Sequence, residues 1–209
     1  MQIDGQVYGQ ETDYPVVREG IVTPGYFETF ETPILKGREF QASDIAASEP
    51  VVIVNDSFAR RYFPDGDPMG RRMRRGRGVT TNPWLTVVGV VPDMLMQGVG
   101  RNDQSPAGYY IPIAQSDVTN FVSIAVRTRG DAAAMAPALR AAVASLDNDL
   151  AVYDVRAMDV VIRQQTWFYT VFGTFFMAFG LTALFLASAG LYGVMSFAVT
   201  TARRIGSTP

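Results

Sequence analysis

Apolar and polar positions divide the chain into two parts. Up to about residue 160, short apolar segments alternate with charged and turn-forming residues, whereas no charged residue occurs between Arg163 and Arg203. Short apolar segments bounded by turn residues predict strands, and apolar residues three and four positions apart predict helices. The pattern therefore predicts an α+β domain followed by one long apolar helix.

Residues 16–40 have the pattern of a strand, a helix and a second strand. The segment 16–22 predicts a strand, and the segment 34–40 predicts a strand or turn that contains a glycine. Between them, Thr23 can cap a helix, and Pro24 suits the first helical position. This region therefore predicts a first β-α-β unit.

The middle of the domain, residues 41–116, is richer in strand patterns. Residues 50–54 are wholly apolar and predict a strand that is buried on both faces. The polar run that follows can cap a helix over 58–62. The candidate caps are Asn55, Asp56 and Ser57, and the further predicted strands are 84–91 and 109–113.

Residues 121–155 predict a second β-α-β unit. Residues 121–127 alternate well enough to form a half-buried strand, and residues 150–155 predict another strand. Between them, residues 131–146 have a helical apolar face, with Pro137 best placed in the first turn.

The two units flank the strand-rich middle, which predicts a small sandwich built from both ends of the domain. We expect residues of about 16–40 and 117–158 to form one lobe, with residues of about 41–116 inserted as a second. A short amphipathic helix over 155–165 then leads into the apolar segment, so the domain is expected to span residues 1–160.

The uncharged segment from Gln164 to Ala202 is long enough to cross a membrane. A helix needs about 20 apolar residues to span a hydrocarbon core of ~30 Å, and the most apolar part, 171–199, exceeds that length. The alternative is a buried helix of a soluble protein, but soluble core helices of this length usually have a polar face. We therefore predict a single transmembrane helix within the region 161–209.

The flanks of this helix predict its orientation. Aromatic residues at 167–169 stand where an interfacial belt is expected, and Arg203 and Arg204 follow the other end. Arg163, at the other end of the helix, favours the reverse orientation, but it contributes one charge against two. Because cytoplasmic flanks are enriched in Lys and Arg, we expect the C-terminus in the cytoplasm and the domain outside.

Small residues recur on one face of the predicted membrane helix. Their spacing of seven, three, four and three lets another helix approach closely, although Gly and Ala are also common in membrane helices generally. The candidate packing residues are Gly173, Gly180, Ala183, Ala187 and Gly190.

The composition excludes several kinds of chemistry. The chain has 209 residues, a net charge of −2, no cysteine and no histidine. Without Cys there is no disulfide framework, thiol nucleophile or cysteine metal site, and without His no Ser-His-Asp triad. The mild charge does not predict a nucleic-acid partner. We expect neither catalysis nor a cofactor in this chain.

Three short segments still carry candidate chemistry. The run 65–67 resembles the start of a cation loop, but the later calcium ligands are missing and a turn before Pro68 explains it better. The run 55–57 matches a glycosylation acceptor, for which a helix cap is an equal explanation. An arginine run is a candidate for binding phosphate, an acidic lipid or an acidic partner, or else forms a solvated hairpin. Its members are Arg71, Arg72, Arg74, Arg75 and Arg77.

Several motifs in a fixed order resemble the periplasmic core domain of MacB-type ABC transporter permeases. They are VTPGYFETF at 22–30, LKGREF at 35–40, VVIVNDSFARRYFP at 51–64, DPMGRR at 67–72 and TVVGVVPD at 86–93. The helix that follows, ending in ARRIG at 202–206, resembles the first membrane helix of an FtsX-like permease domain. The similarity extends from about Glu19 to Asp154 and on through this helix.

This resemblance implies a porter-like lobe with an inserted lobe, and a mechanical function in export or mechanotransmission. It implies as partners a separate cytoplasmic ABC ATPase, because no phosphate-binding loop occurs in this chain, and a second permease copy or half. It also implies an inner-membrane location. The alternatives from the residues alone are a single-pass extracytoplasmic binding or sensor module and, less well supported, an extracytoplasmic enzyme.

Two departures from the family pattern concern the ends of the chain. No signal peptide and no leading membrane helix opens it, and the tail lacks the Glu expected in Arg-x-Arg-Glu-Ile-Gly. We therefore expect the sequence to be a fragment of a longer permease or a degraded gene copy.

Overall fold

The computed structural model describes residues 1–10, 14–64, 66–96, 106–117 and 121–205. The chain divides into two compact units, Met1–Val155 and Arg156–Pro209. The predicted α+β class with one long apolar C-terminal helix is confirmed.

The first unit contains a single curled sheet to which seven described strands contribute. These are β1 (Gln2–Ile3), β2 (Arg18–Val22), β3 (Lys36–Gly37), β4 (Val51–Asn55), β5 (Arg72–Arg74), β6 (Trp84–Val91) and β7 (Gly108–Pro112). The strand order is β1-β5-β6-β4-β7-β2, and β3 pairs with β6. The pairs β4–β6 and β2–β7 are parallel, and the other pairs are antiparallel.

Helices cover both faces of this sheet. The helix α2 (Asp56–Tyr62) lies on one face, where Phe58 packs into a cluster with Val52, Val54 and Met73. The short helix α1 (Tyr26–Thr29) covers the other face, where Phe27 packs with Ile53 and Tyr110. Because β4 is buried on both sides, its wholly apolar sequence is the pattern expected of a central strand.

Backbones approach closely where β3 meets β6. A Cβ at Gly89 would lie 2.5 Å from the carbonyl oxygen of Arg38, and one at Gly37 would lie 2.2 Å from that of Val88. Gly37 also has a φ of 75°, which favours glycine. These two glycines therefore let the segment after α1 lie against β6.

The two strands of the predicted first β-α-β unit are present, but they do not lie next to each other in the sheet. Its strands β2 and β3 are not neighbours, because β2 pairs with β7 and β3 with β6. Both belong to the same sheet as the strands between residues 41 and 116. The division into a porter-like and an inserted lobe stays a prediction.

The second predicted β-α-β unit contains its helix but not its strands. The helix α3 (Ala136–Leu146) has Pro137 in its first turn as predicted, after a 3₁₀ turn at Ala133–Met135. Residues 121–127 and 150–155, predicted as strands, have no strand pairing, and Phe121 is 81% exposed. Among the described residues, no neighbouring strand supplies hydrogen bonds to these segments and no apolar surface covers one of their faces.

The described part of the second unit contains one continuous helix, α4 (Met158–Ile205), of 48 residues. The predicted short helix leading into the apolar segment is the beginning of α4, which at ~1.5 Å per residue is about 72 Å long. Its segment Thr166–Gly193 is apolar and long enough to cross a membrane, and none of that window is buried. A core helix of a soluble protein would be mostly buried, so this exposure supports the membrane interpretation.

Candidate functional site

A side chain from the motif at 35–40 caps the helix α1, which belongs to the motif at 22–30. Glu39 Oε1 accepts hydrogen bonds from the backbone N–H groups of Gly25 (3.0 Å) and Phe27 (3.3 Å) at the start of α1. Thr23 was a predicted cap, but its side chain makes no cap bond; Gly25, with a φ of 81°, is the N-cap residue. The carboxylate of a residue 12 to 14 positions away therefore caps the helix.

Arg38, beside Glu39, forms a two-pronged ion pair. Its Nη1 and Nη2 lie 2.8 and 2.9 Å from the carboxylate oxygens of Asp44, which also accepts from the backbone N–H of Gln41. Asp44 is only 6% exposed. The bond from Arg38 is the main cause that lowers the pKa of Asp44, and the backbone bond from Gln41 lowers it too, although burial opposes both.

Asn55 joins three segments of the first unit. Its Oδ1 accepts from the N–H of Phe58 (3.0 Å) and of Gly108 (2.9 Å), and its Nδ2 donates to the carbonyl of Pro106 (2.7 Å). Asn55 is fully buried, so of the three candidate caps it is the one that caps α2. Because its side chain is 0% exposed, its amide nitrogen is not accessible to a glycan.

The motif that ends at Asp93 contacts the same helix. Asp93 Oδ1 accepts from the N–H of Ser57 at 2.9 Å, its other oxygen accepts from the Ser57 hydroxyl, and Arg60 lies 4.0 Å away. A carboxylate at a helix N-terminus satisfies a free N–H and complements the helix dipole. The motifs that carry the family resemblance therefore make structural contacts with each other.

The arginine run flanks and forms β5, and most of its members have partners. Arg72 pairs with Asp4 at 2.8 Å, and Arg75 pairs with Glu19 at 3.2 Å. Arg74 donates to Gln2 Oε1, and the guanidinium groups of Arg72 and Arg74 lie 5.8 and 4.7 Å from the ring centroid of Trp84. Arg71 lies near Gly66. Burial is the main cause that lowers the pKa of the N-terminal amine, and the nearby charge of Arg77 lowers it further. The run is thus not a uniformly solvated cationic patch.

The strand β7 carries two buried tyrosine hydroxyl groups that no sequence pattern had indicated. The hydroxyl of Tyr109 donates to Glu19 Oε2 at 2.5 Å, and Glu19 pairs with Arg75. Burial first, and then Glu19, raises the pKa of Tyr109. The hydroxyl of Tyr110 is buried without a hydrogen-bond partner among the described residues, and burial raises its pKa.

The candidate packing residues of α4 are exposed on the helix. A Cβ added at Gly173, Gly180 or Gly190 would meet nothing within 4 Å. Ala183 and Ala187 are exposed as well. At about 100° per residue these five positions lie within one third of the helix circumference. Phe172, whose ring centroid lies 4.2 Å from that of Phe168, has the same angular position as Gly190, so small residues do not form this face alone.

The described residues contain no group of three or more acidic side chains that could hold a metal ion. The candidate cation loop at 65–67 falls partly outside them, because Asp65 is not described. Asp67 lies 3.5 Å from Lys36 Nζ, and its carboxylate accepts a hydrogen bond from the backbone N–H of Met69 at 3.4 Å, which is a contact typical of a turn.

Comparisons with known proteins point to one family. The model of the MacB-like periplasmic core domain matches residues 1–146. No curated protein matches the chain. The periplasmic region of MacB from Actinobacillus actinomycetemcomitans is 18% identical with a TM-score of 0.45, and the match covers 64% of this chain and 58% of that one. The extracellular domain of the noncanonic ABC-type transporter YknZ from Gram-positive bacteria is 19% identical with a TM-score of 0.34, over 46% of this chain and 42% of that one.

Proposed function

Because the chain belongs to the family of MacB-like periplasmic core domains, we propose that it supplies the extracytoplasmic domain and one membrane helix of an ABC transporter permease. The proposal rests on the order of two features along the chain, the family match and the apolar helix. A family match over residues 1–146 is followed, within twelve residues, by a helix with an apolar segment long enough to cross a membrane. Such a permease component changes conformation during transport and does not itself catalyse a reaction.

The proposed mechanism is transmission of movement along α4. A separate ABC ATPase in the cytoplasm binds and hydrolyses ATP, and the membrane helix carries the resulting displacement to the outer domain. The helix is described without interruption from Met158 to Ile205, across the proposed membrane boundary at Thr166. An uninterrupted hydrogen-bonded helix resists bending. Sharp kinks arise mostly at a proline, a Gly/Ser pair, a bulge or an inserted side chain, and α4 contains no proline.

The proposed orientation places the first unit outside the cytoplasmic membrane and Arg203 and Arg204 in the cytoplasm. It rests on the two basic residues after the apolar segment and on the absence of acidic residues beyond Asp159 in the sequence. The proposed partner of the small-residue face of α4 is a helix of a second permease copy or half.

Co-purification tests this function against an anchored sensor module. The tagged chain is solubilised from its native membrane in mild detergent, and bound proteins are identified by mass spectrometry. We expect a subunit with a GxxxxGK[ST] sequence, whose ATP hydrolysis changes when the chain is removed. Recovery of the chain without any nucleotide-binding subunit, under conditions that preserve a known ABC complex from the same membrane, would favour the sensor module.

A further inference from the structure

An open groove of about 340 Å³ lies where β1, β5 and the start of β6 meet. Residues from three separate parts of the chain line it, among them Gln2, Tyr8, Tyr14, Arg74, Gly78 and Trp84. Ligand sites typically occupy about 300–1,000 Å³ and combine aromatic walls with a few fixed polar groups. The groove is thus large enough for a small molecule, and the proposed transport mechanism assigns it no role.

The aromatic walls of the groove are held in place. The rings of Tyr8 and Tyr14 stack with their centroids 4.5 Å apart and their planes 18° from parallel. The Tyr8 hydroxyl accepts from the N–H of Ile3 at 2.9 Å and donates to Gln6 Oε1 at 3.0 Å. A ring fixed by two hydrogen bonds and a stacked neighbour loses little further freedom when a ligand binds.

Two charged side chains among the described residues line the groove, Asp4 and Arg74. Arg72 and Arg74 both lie over Trp84, but only Arg72 has an acidic partner, Asp4. Arg74 uses its Nε to bond Gln2, whose own amide is held by the carbonyl of Gly78. Within the described part of the chain, no carboxylate pairs with Arg74.

We propose that this groove binds a small planar aromatic carboxylate. The ligand ring packs against the aromatic walls, and its carboxylate accepts hydrogen bonds from the terminal nitrogens of Arg74. The planar guanidinium group of an arginine can donate two parallel hydrogen bonds to a carboxylate in the same plane. Stacking of this group on an indole fixes the direction in which its N–H donors point. Both features fit an anion that carries an aromatic ring better than they fit phosphate or a simple salt.

A single-indole form of the full chain reports on this groove directly. The chain has two tryptophans, so Trp167→Phe leaves Trp84 as the only source of an indole N–H signal. The ¹⁵N-labelled protein in detergent is titrated with 2-naphthoate, with the neutral 2-naphthalenemethanol and with acetate. We expect 2-naphthoate to shift the indole signal saturably and to bind at least ten-fold more tightly than either control compound.

Substitutions separate the charge from the ring. Arg74→Gln should weaken 2-naphthoate binding about ten-fold, which corresponds to about 1.4 kcal/mol, whereas Arg74→Lys should restore part of it. Tyr14→Leu should weaken 2-naphthoate and leave acetate unchanged. Arg140→Gln, an exposed arginine of α3, is the matched control and should bind as the parent does.

Three results would overturn the proposal. They are equal affinity for acetate and 2-naphthoate, unchanged affinity in Arg74→Gln, and the lack of any saturable shift in a parent protein with an unaltered circular dichroism spectrum. Because Tyr14→Leu tests the aromatic wall independently, a folding failure of Arg74→Gln alone still leaves a decisive result.

Discussion

Asn55 is the residue on which the packing of the first unit depends most directly. One buried amide caps α2 and holds the backbone at Pro106 and Gly108, so its loss leaves two N–H groups and a carbonyl unpaired. We expect Asn55→Ala to lower the free energy of unfolding by about 3 kcal/mol, since a lost cap costs roughly 0.5–2 and each unsatisfied buried group about 1–3. Chemical denaturation followed by circular dichroism measures the change.

The matched control is Asn148→Ala. Asn148 is exposed, and it follows the end of α3. Its substitution should change the free energy of unfolding by less than ~0.5 kcal/mol. Equal effects of the two substitutions would contradict the role given to Asn55.

The ion pair of Arg38 and Asp44 predicts a pH dependence of stability. The pKa of Asp44 is lowered below its ordinary value of 3.8, so the pair stabilises the fold above that pH, and its contribution is lost as the pH falls below about 4. In Asp44→Asn the unfolding free energy should fall less between pH 5 and pH 2 than in the parent. Denaturation midpoints across this range give the comparison, and Asp117→Asn, at an exposed position, serves as the control.

Single residues were predictable where the partner is close in sequence. The polar run 55–57 identified the cap of α2 to within three candidates, because an N-cap binds an N–H two or three residues ahead. The cap of α1 was not predictable, since Glu39 acts from 12 to 14 residues away and Thr23 had the more familiar pattern. The same holds for Asp93 at α2, which lies 36 residues from Ser57.

Strands, like single residues, were predictable where the pattern that identifies them is local in the sequence. The strands β4 and β6 were predicted almost to the residue. A wholly apolar run identified β4 as a strand buried on both faces, and the aromatic and β-branched residues of β6 are those typical of strands. The segment 121–127 has an equally clear alternation but no neighbouring strand. Alternation shows only that a strand is compatible with the sequence, and pairing depends on residues that are distant along the chain.

Amide hydrogen exchange tests this contrast. We expect the amides of β4 and β6 to be protected to nearly the free energy of global unfolding, because they are central and hydrogen-bonded on both sides. Residues 121–127, without ladder bonds, should exchange within seconds at neutral pH. Strong protection of 121–127 in the full chain would mean that a strand pairs with it and would contradict the described structure.

The packing face of α4 yields a prediction for the membrane segment. We expect Gly180→Leu to reduce several-fold the yield of the complex with partner helices in detergent, because the added side chain keeps helix backbones apart. Ala178→Leu is the control on the opposite side: at about 100° per residue, the exposed Ala178 lies about 160° around the helix from Gly180 and at least about 120° from each other candidate packing residue. An unchanged yield with Gly180→Leu, or an equal loss with both, would contradict the packing role.

At the scale of the molecule, sequence pattern predicted the two parts but not the architecture of the first. An apolar, uncharged stretch of this length has few structural solutions, so one long helix followed from composition alone. The predicted pairing of segments that are close in sequence did not occur, because the sheet joins β2 to β7 and β3 to β6 across the chain. The local pattern of apolar and polar residues does not determine strand order. The predicted division into a porter-like lobe and an inserted lobe therefore depends on the family resemblance.

The central claim is a domain outside the membrane joined by one spanning helix to a cytoplasmic end, and cysteine labelling tests it most directly. The chain has no cysteine, so Ser145→Cys in α3 and Ser207→Cys in the tail each give a single reactive thiol. Spheroplasts that carry either variant are treated with a membrane-impermeant maleimide before and after permeabilisation. The account predicts that Ser145→Cys reacts in intact spheroplasts and that Ser207→Cys reacts only after permeabilisation. The reverse pattern, or recovery of both variants in the soluble fraction, would contradict it.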